Sequence, residues 1–157
     1  MSTQISYKHK PVNGGEHGEK KHTVVLYSPD SDFCMSLSMF FQDMYKVITT
    51  TDPEMLLDIV DAYQPELAIV DASPGERMNR RFETMKRADE HLRIMVLYVP
   101  KIQGSPRDVR RVPCVDAMLS HPIDLTDVMQ QADFLLALQR KGIGYGQQSD
   151  TNTSGTG

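Results

Sequence analysis

The chain has 157 residues and a formal net charge of −4, with 24% charged and 39% hydrophobic residues. That is enough for one domain whose core holds without metals or disulfides, and its acidic balance gives no general attraction to nucleic acid or anionic lipid. No apolar run approaches the ~18 residues that cross a bilayer, and MSTQISYKHK at the start has no apolar signal core, so a cytoplasmic chain without a membrane span is expected.

Residues 1–22 carry Gly14-Gly15 and scattered Lys, Glu and His without an apolar period, which predicts a disordered arm. His9, His17 and His22 lie there at irregular spacing, which suits solvated side chains better than metal ligands. Residues 142–157, GIGYGQQSDTNTSGTG, have little to bury and predict a disordered tail, leaving 23–141 as the folded domain. Cys34 and Cys114 have no CxxC or metal-ligand spacing and read as packed thiols.

Within the domain, TVVLY from Thr23 to Tyr27 is a short β-rich run that SPDSD ends before a helix. Phe33, Leu37, Phe40, Phe41 and Met44 recur at the spacing of one helical face. KVITT from Lys46 to Thr50 is a second strand; Asp52 and Pro53 form a cap and first-turn pair, and Leu56, Ile59, Val60 and Tyr63 give the second helix its apolar stripe. Leu67, Ala68, Ile69 and Val70 then run without polar alternation, as in a strand covered on both faces, and the run ends at Asp71. Open parallel sheets place their sites at such carboxyl ends. Met78, Phe82 and Met85 mark a third helix over about Arg77 to Ala88, and RIMVLYV from Arg93 to Val99 a fourth strand. Ser105 and Pro106 open a short helix that Pro113 stops, and VDAML from Val115 to Leu119 is the fifth strand. Asp124 caps a last helix whose Leu125, Val128, Ala132, Leu135 and Leu136 face the sheet. The ten methionines fall mainly on these stripes and read as core filler. Strand and helix alternating through short connections predict a single doubly wound parallel α/β sheet.

This order, the DASPG turn after the third strand, the stretch YKVITTTDPEMLLDIVDAYQPELAIVD and the LSHP end of the fifth strand resemble a receiver domain of bacterial response regulators, over about Thr23 to Arg140. The resemblance implies a flavodoxin-like five-stranded sheet in the order 2-1-3-4-5, a cis bond before Pro122, and Asp71 at the phosphoacceptor position. It also shows what is changed. The acidic magnesium ligands after the first strand fall at Ser28 and Pro29; proline has no side-chain oxygen, and serine is a poor ligand for a hard cation. Asp30 or Asp32 could reach back for them, although both also suit capping of the first helix. The lysine falls at His121, the small hydroxylated residue at Tyr98, whose ring suits filling the pocket, and the proline after the aspartate comes one position early, at Pro74. Asp71 therefore has two readings, a phosphoacceptor or a structural carboxylate that accepts backbone N–H groups or pairs with His121.

Arg77, Arg80 and Arg81 repeat the spacing of Arg107, Arg110 and Arg111, and each trio falls on one face of a helix. The functional reading is recognition of an acidic protein surface or a phosphorylated ligand, beside the plain one of solvated arginines balanced by Glu76, Glu83 and Asp108. The first expectation is thus a stand-alone, non-enzymatic pseudo-receiver that binds a protein partner in bacterial signalling without phosphorylation or a cofactor. The second is a working receiver phosphorylated on Asp71 by a histidine kinase with Mg2+ held by Asp30 or Asp32. The third is a binder of a phosphorylated ligand such as a cyclic dinucleotide, by the arginine trios. Hydrolase and dehydrogenase chemistry find no nucleophile elbow, Gly-rich phosphate loop or metal cluster here.

Overall fold

The structure of the chain, a computed structural model, describes residues 21–100 and 112–140. Its elements are β1 (Thr23–Tyr27), α1 (Ser31–Phe41), β2 (Lys46–Thr50), α2 (Met55–Tyr63), β3 (Leu67–Asp71), α3 (Glu76–Ala88), β4 (Arg93–Tyr98), β5 (Ala117–Ser120) and α4 (Leu125–Arg140). The five strands form one parallel sheet in the order β2-β1-β3-β4-β5, as the resemblance implies. The short helix expected from Ser105, and Arg107, Arg110 and Arg111 with it, lie outside the described residues.

Side chains alternate across a strand, so a continuous apolar run fills two cores at once. Val24, Leu26, Leu67, Ile69, Met95 and Leu97 face Cys34, Leu37 and Phe41 of α1 and Val128, Ala132, Leu135 and Leu136 of α4. Val25, Ile48, Ala68, Val70, Ile94 and Val96 face Leu56, Ile59 and Val60 of α2 and Phe82 and Met85 of α3. The sheet is therefore sandwiched between α1 with α4 and α2 with α3. Cys34 is buried among these residues, its thiol directed at the carbonyls of Leu26 and Thr50, and burial raises its pKa. It is a packed thiol, as expected.

Several boundaries and faces differ from the sequence reading. Helix α1 ends at Phe41, so Met44 falls beyond it, and Phe40 lies on the flank of the stripe that Cys34, Leu37 and Phe41 bury. Met35, Met39 and Met44 are exposed, so the methionines of this segment are not core filler. Tyr63 is also exposed at the end of α2. Asp52 caps a turn that leads into α2: its carboxylate accepts from the Glu54 N–H at 2.9 Å and its carbonyl from the Met55 N–H at 3.0 Å, and the helix starts only at Met55. Strand β4 stops at Tyr98, leaving Val99 exposed, and β5 begins at Ala117 instead of Val115. The late start reflects Asp116, whose carboxylate accepts from the Ile94 N–H at 2.8 Å and is paired with Lys86 at 3.1 Å and Arg93 at 3.4 Å. His22, assigned above to the arm, is already tied to the sheet: its carbonyl accepts from the Lys46 N–H at 2.8 Å and its ring pairs with Glu66.

Candidate functional site

The chain steps from β1 to β2 on one side and then returns across β1 to β3, so the direction of winding reverses between β1 and β3. Such a switch point leaves a crevice at the carboxyl ends of its two strands. Ser28 follows β1 and Asp71 ends β3, which puts both at that crevice. The backbone continues the sheet just beyond the strands and holds their ends in place: the Ser28 N–H donates to the Thr50 carbonyl at 3.3 Å, Ala72 to Leu97 at 3.1 Å and His121 to Tyr98 at 2.7 Å.

The side chains converge on Asp71. The wholly buried Ser28 donates its hydroxyl to Asp71 Oδ2 at 2.7 Å, and the Asp30 N–H donates to the same hydroxyl at 3.0 Å. Asp71 Oδ1 lies 3.0 Å from His121 Nε2. An ionised carboxylate only accepts, so in this pair Nε2 carries the proton. His121 comes from the loop after β5 and reaches past the end of β4 to do this; its ring is packed against Phe33 of α1, with centroids 5.7 Å apart and planes tilted by 51°. The side chains of His121 and Asp71 keep 26% and 17% of their exposure, so the pair stands at the rim of the crevice, within reach of water. The bond between His121 and Pro122 is cis, as the resemblance implies.

The other sequence-predicted residues have these positions. Asp30 caps α1, its Oδ1 accepting from the N–H groups of Asp32 at 3.0 Å and Phe33 at 3.2 Å, and its carboxylate is thereby turned towards the helix. Asp32 is exposed in the first turn of α1, and Pro29 is exposed with no side-chain donor. Tyr98 alternates with Ile94 and Val96 and packs on the α2 and α3 side, whereas Asp71 alternates with Leu67 and Ile69, which face α1 and α4. The tyrosine ring and the carboxylate therefore leave the sheet on opposite faces. Pro74 and Gly75 lead into α3, whose Asn79 N–H donates to the Gly75 carbonyl at 2.8 Å. Among the described residues no three His, Cys, Asp or Glu side chains are grouped to hold a metal ion.

The first arginine trio belongs to the α2 and α3 side of the sheet. Arg77, Arg80 and Arg81 line a cleft of ≈ 350 Å³ between α2 and α3, over a floor that includes Leu56, Leu57 and Met85. Arg81 is braced by Glu54 at 2.7 Å and Arg80 by Glu76 at 3.4 Å. The sequence reading missed Glu54 as a partner, and it missed the hydroxyl of Ser28 as a donor to Asp71 and Phe33 as the support of His121. It also missed the Asp116 cluster, for which there was a signal, a lone acid inside the apolar run of the fifth strand.

No family model matches the chain, and no curated protein matches its sequence. Solved structures match its fold. A response regulator receiver domain protein (CheY-like) from Methanospirillum hungatei JF-1 superposes with a TM-score of 0.68 at 14% identity, over 78% of this chain and 99% of that one. A response regulator receiver modulated diguanylate cyclase from Pelobacter carbinolicus gives 0.63 at 18% identity, over 77% and 97%. A putative pilus assembly-related protein from Burkholderia pseudomallei K96243 gives 0.61 at 16% identity, over 74% and 90%. The chain has the fold of response-regulator receiver domains. None of its helices within the described residues is long and apolar enough to cross a membrane.

Proposed function

We propose that this chain is a receiver-fold signalling module of bacterial type that works by binding a protein partner in the cytoplasm, with no enzymatic activity and no regulated phosphorylation of Asp71. One observation carries the reading: both oxygens of Asp71 are already engaged, by Ser28 at 2.7 Å and His121 at 3.0 Å, from the positions that the resemblance gives to a magnesium ligand and to the lysine. The residues do not fit magnesium. A hard cation of that size needs carboxylate and water oxygens in octahedral geometry. Among the described residues, the Asp30 carboxylate is taken up in capping α1, Asp32 is exposed in the first turn of that helix, and the Ser28 hydroxyl is spent on Asp71. Phosphoryl transfer rests on positioned charge and metal, so this donor set offers an incoming phosphoryl group little stabilisation.

The test is incubation of the full chain with a small-molecule phosphodonor and Mg2+, read by intact mass. The expected result is an unmodified mass at all times. Stoichiometric phosphorylation that is lost in Asp71→Asn would overturn the proposal in favour of a receiver served by a histidine kinase. The partner-binding surface on this reading is the arginine-lined face of α2 and α3.

A further inference from the structure

We infer that the partner of the α2 and α3 face is the same face on a second copy of the chain; this rests on the interaction reading above and gives that surface its occupant. The charge pattern is self-complementary. Helix α2 with its preceding Glu54 carries Asp58 and Asp61 and no basic residue, and all three acids are exposed. Helix α3 carries Arg77, Arg80, Arg81 and Arg87 against Glu76 and Glu83, while its Lys86 is turned to Asp116 at 3.1 Å and is not part of this face. Glu54 already braces Arg81 and Glu76 braces Arg80. Arg77 is exposed and has no ion-pair partner among the described residues.

An acidic α2 thus packs beside a basic α3; Glu54 and the arginines line the cleft between them over an apolar floor of Pro53, Leu56, Leu57 and Met85, and Asp58 and Asp61 continue the exposed acidic side of α2 beyond it. Both helices follow a parallel strand and run back against the sheet, so they are parallel to each other. A face-to-face two-fold pair can then form about two axes. With the axis across the helices, α2 meets α2 and acids oppose acids. With the axis along them, α2 of one copy lies over α3 of the other, and each helix meets its opposite in charge twice by symmetry. Only the second arrangement is electrostatically favourable.

Other occupants fit less well. Residues 1–20 have Lys8, Lys10 and Lys20 against Glu16 and Glu19, and residues 141–157 have Lys141 against Asp150, so neither end of the chain supplies an acidic segment. A nucleotide needs polar groups to read its base, and the cleft lining offers only Thr84 and Glu54 besides the arginines. The face has the length of α3, roughly 20 Å, and the width of two helices, again roughly 20 Å, or about 400 Å² per copy. That is near half of what a standard stable interface buries, so the pair is weak, with association in the micromolar range or above.

Sedimentation velocity of the full chain from about 10 to 300 µM tests this, at about 50 mM and 500 mM salt. Wild type should shift towards dimer with concentration, and less so at high salt. Arg77→Glu with Arg80→Glu, and separately Asp58→Lys with Asp61→Lys, should each weaken dimerisation about tenfold or more, and an equimolar mixture of the two variants should restore it. All four positions are exposed, and circular dichroism and melting temperature verify that each variant is folded. A wild type that stays monomeric throughout, variants that dimerise as well as wild type, or a mixture that fails to recover would each overturn the inference. Titration calorimetry with a cyclic dinucleotide is the companion measurement: saturable binding lost in the arginine variant would assign the cleft to that ligand instead. Failure of dimerisation leaves the phosphodonor result on Asp71 standing, and the two proposals can fall separately.

Discussion

Ser28→Ala isolates the contact on which the reading of Asp71 depends. Ser28 is wholly buried and its hydroxyl serves two groups, donating to Asp71 Oδ2 at 2.7 Å and accepting from the Asp30 N–H at 3.0 Å. A hydrogen bond to a charged group contributes about 1.5 to 3 kcal/mol, and an amide left without its acceptor costs about 1 kcal/mol more. Against this, Asp71 keeps 17% side-chain exposure, so water replaces part of the lost donor. The net expectation is a loss of about 2 kcal/mol. Urea unfolding followed by circular dichroism measures it, as a midpoint lower by about 1 M at an m of about 1 to 3 kcal/mol/M. Asp71→Ala should also destabilise, by a similar amount or more, because it strands both Ser28 and His121. The double variant should lose less than the sum of the two, by at least about 1 kcal/mol, since one contact cannot be removed twice. An Asp71 held as a reactive acceptor among like charges would give the opposite sign, with Asp71→Ala stabilising. That sign, or a coupling indistinguishable from zero, would refute the claim that the carboxylate is satisfied from within.

Ser28→Asp places a second carboxylate against Asp71, and should destabilise by about 2 kcal/mol in low salt, with Mg2+ recovering part of the loss; equal stability to wild type without metal would contradict the geometry. Asp116→Ala leaves Lys86, Arg93 and the Ile94 N–H without their shared acceptor near 11% exposure, for an expected loss of about 3 kcal/mol by urea unfolding. Tyr45→Phe removes the phenol bond to Asp133 that ties the segment after α1 to α4, for about 1 to 2 kcal/mol in the same assay. Burial raises the Cys34 thiol above its ordinary 9.0 and the Tyr27 phenol above its ordinary 10.0. Both are neutral when protonated, so the folded state holds their protons more tightly. Their stabilising contribution is complete below the unfolded values and is lost as pH rises through the folded ones. Unfolding free energy should hold level from about pH 7 to 8.5 and fall above roughly pH 9; a rise there would contradict the burial of both groups.

The strands were legible because parallel strands buried on two faces leave a mark that short polar turns cannot blur, as Leu67 to Val70 does, whereas the sheet order came only from the resemblance to receiver domains. Helix faces were less so. Phe40 and Met44 matched the apolar period of α1 as well as Leu37 did, but the buried stripe is Cys34, Leu37 and Phe41. The direction of a side chain leaving a strand end was the hardest to read. Tyr98 and Asp71 both fall at carboxyl ends of neighbouring strands, and linear sequence has no way to show that one turns towards α3 and the other towards α1. Asp30 shows the converse: its place before a helical period was a sufficient signal for capping, and two N–H groups occupy its carboxylate. Pairing between distant segments, such as Arg81 with Glu54 or His121 with Phe33, depends on the packing of layers and has no local trace.

The two ends of the sheet show how the fold itself holds a carboxylate at Asp71. Where a buried strand stops, the first polar side chain meets others from neighbouring strand ends, and each must find a partner inside a partly dry environment. At the amino end, His22 pairs with Glu66 across β1 and β3, and Asp116 gathers Lys86, Arg93 and the Ile94 amide across β4 and β5. At the carboxyl end, Ser28, Asp71 and His121 do the same across β1, β3 and the loop after β5. The three clusters follow one rule, acids satisfied by donors from neighbouring segments, and the two at the amino end lie away from the switch point. Removing Asp71 should therefore act on stability as removing Asp116 does. Among the described residues, α2 carries acids and α3 arginines, and Glu54, Arg77, Arg80 and Arg81 line the cleft over its apolar floor.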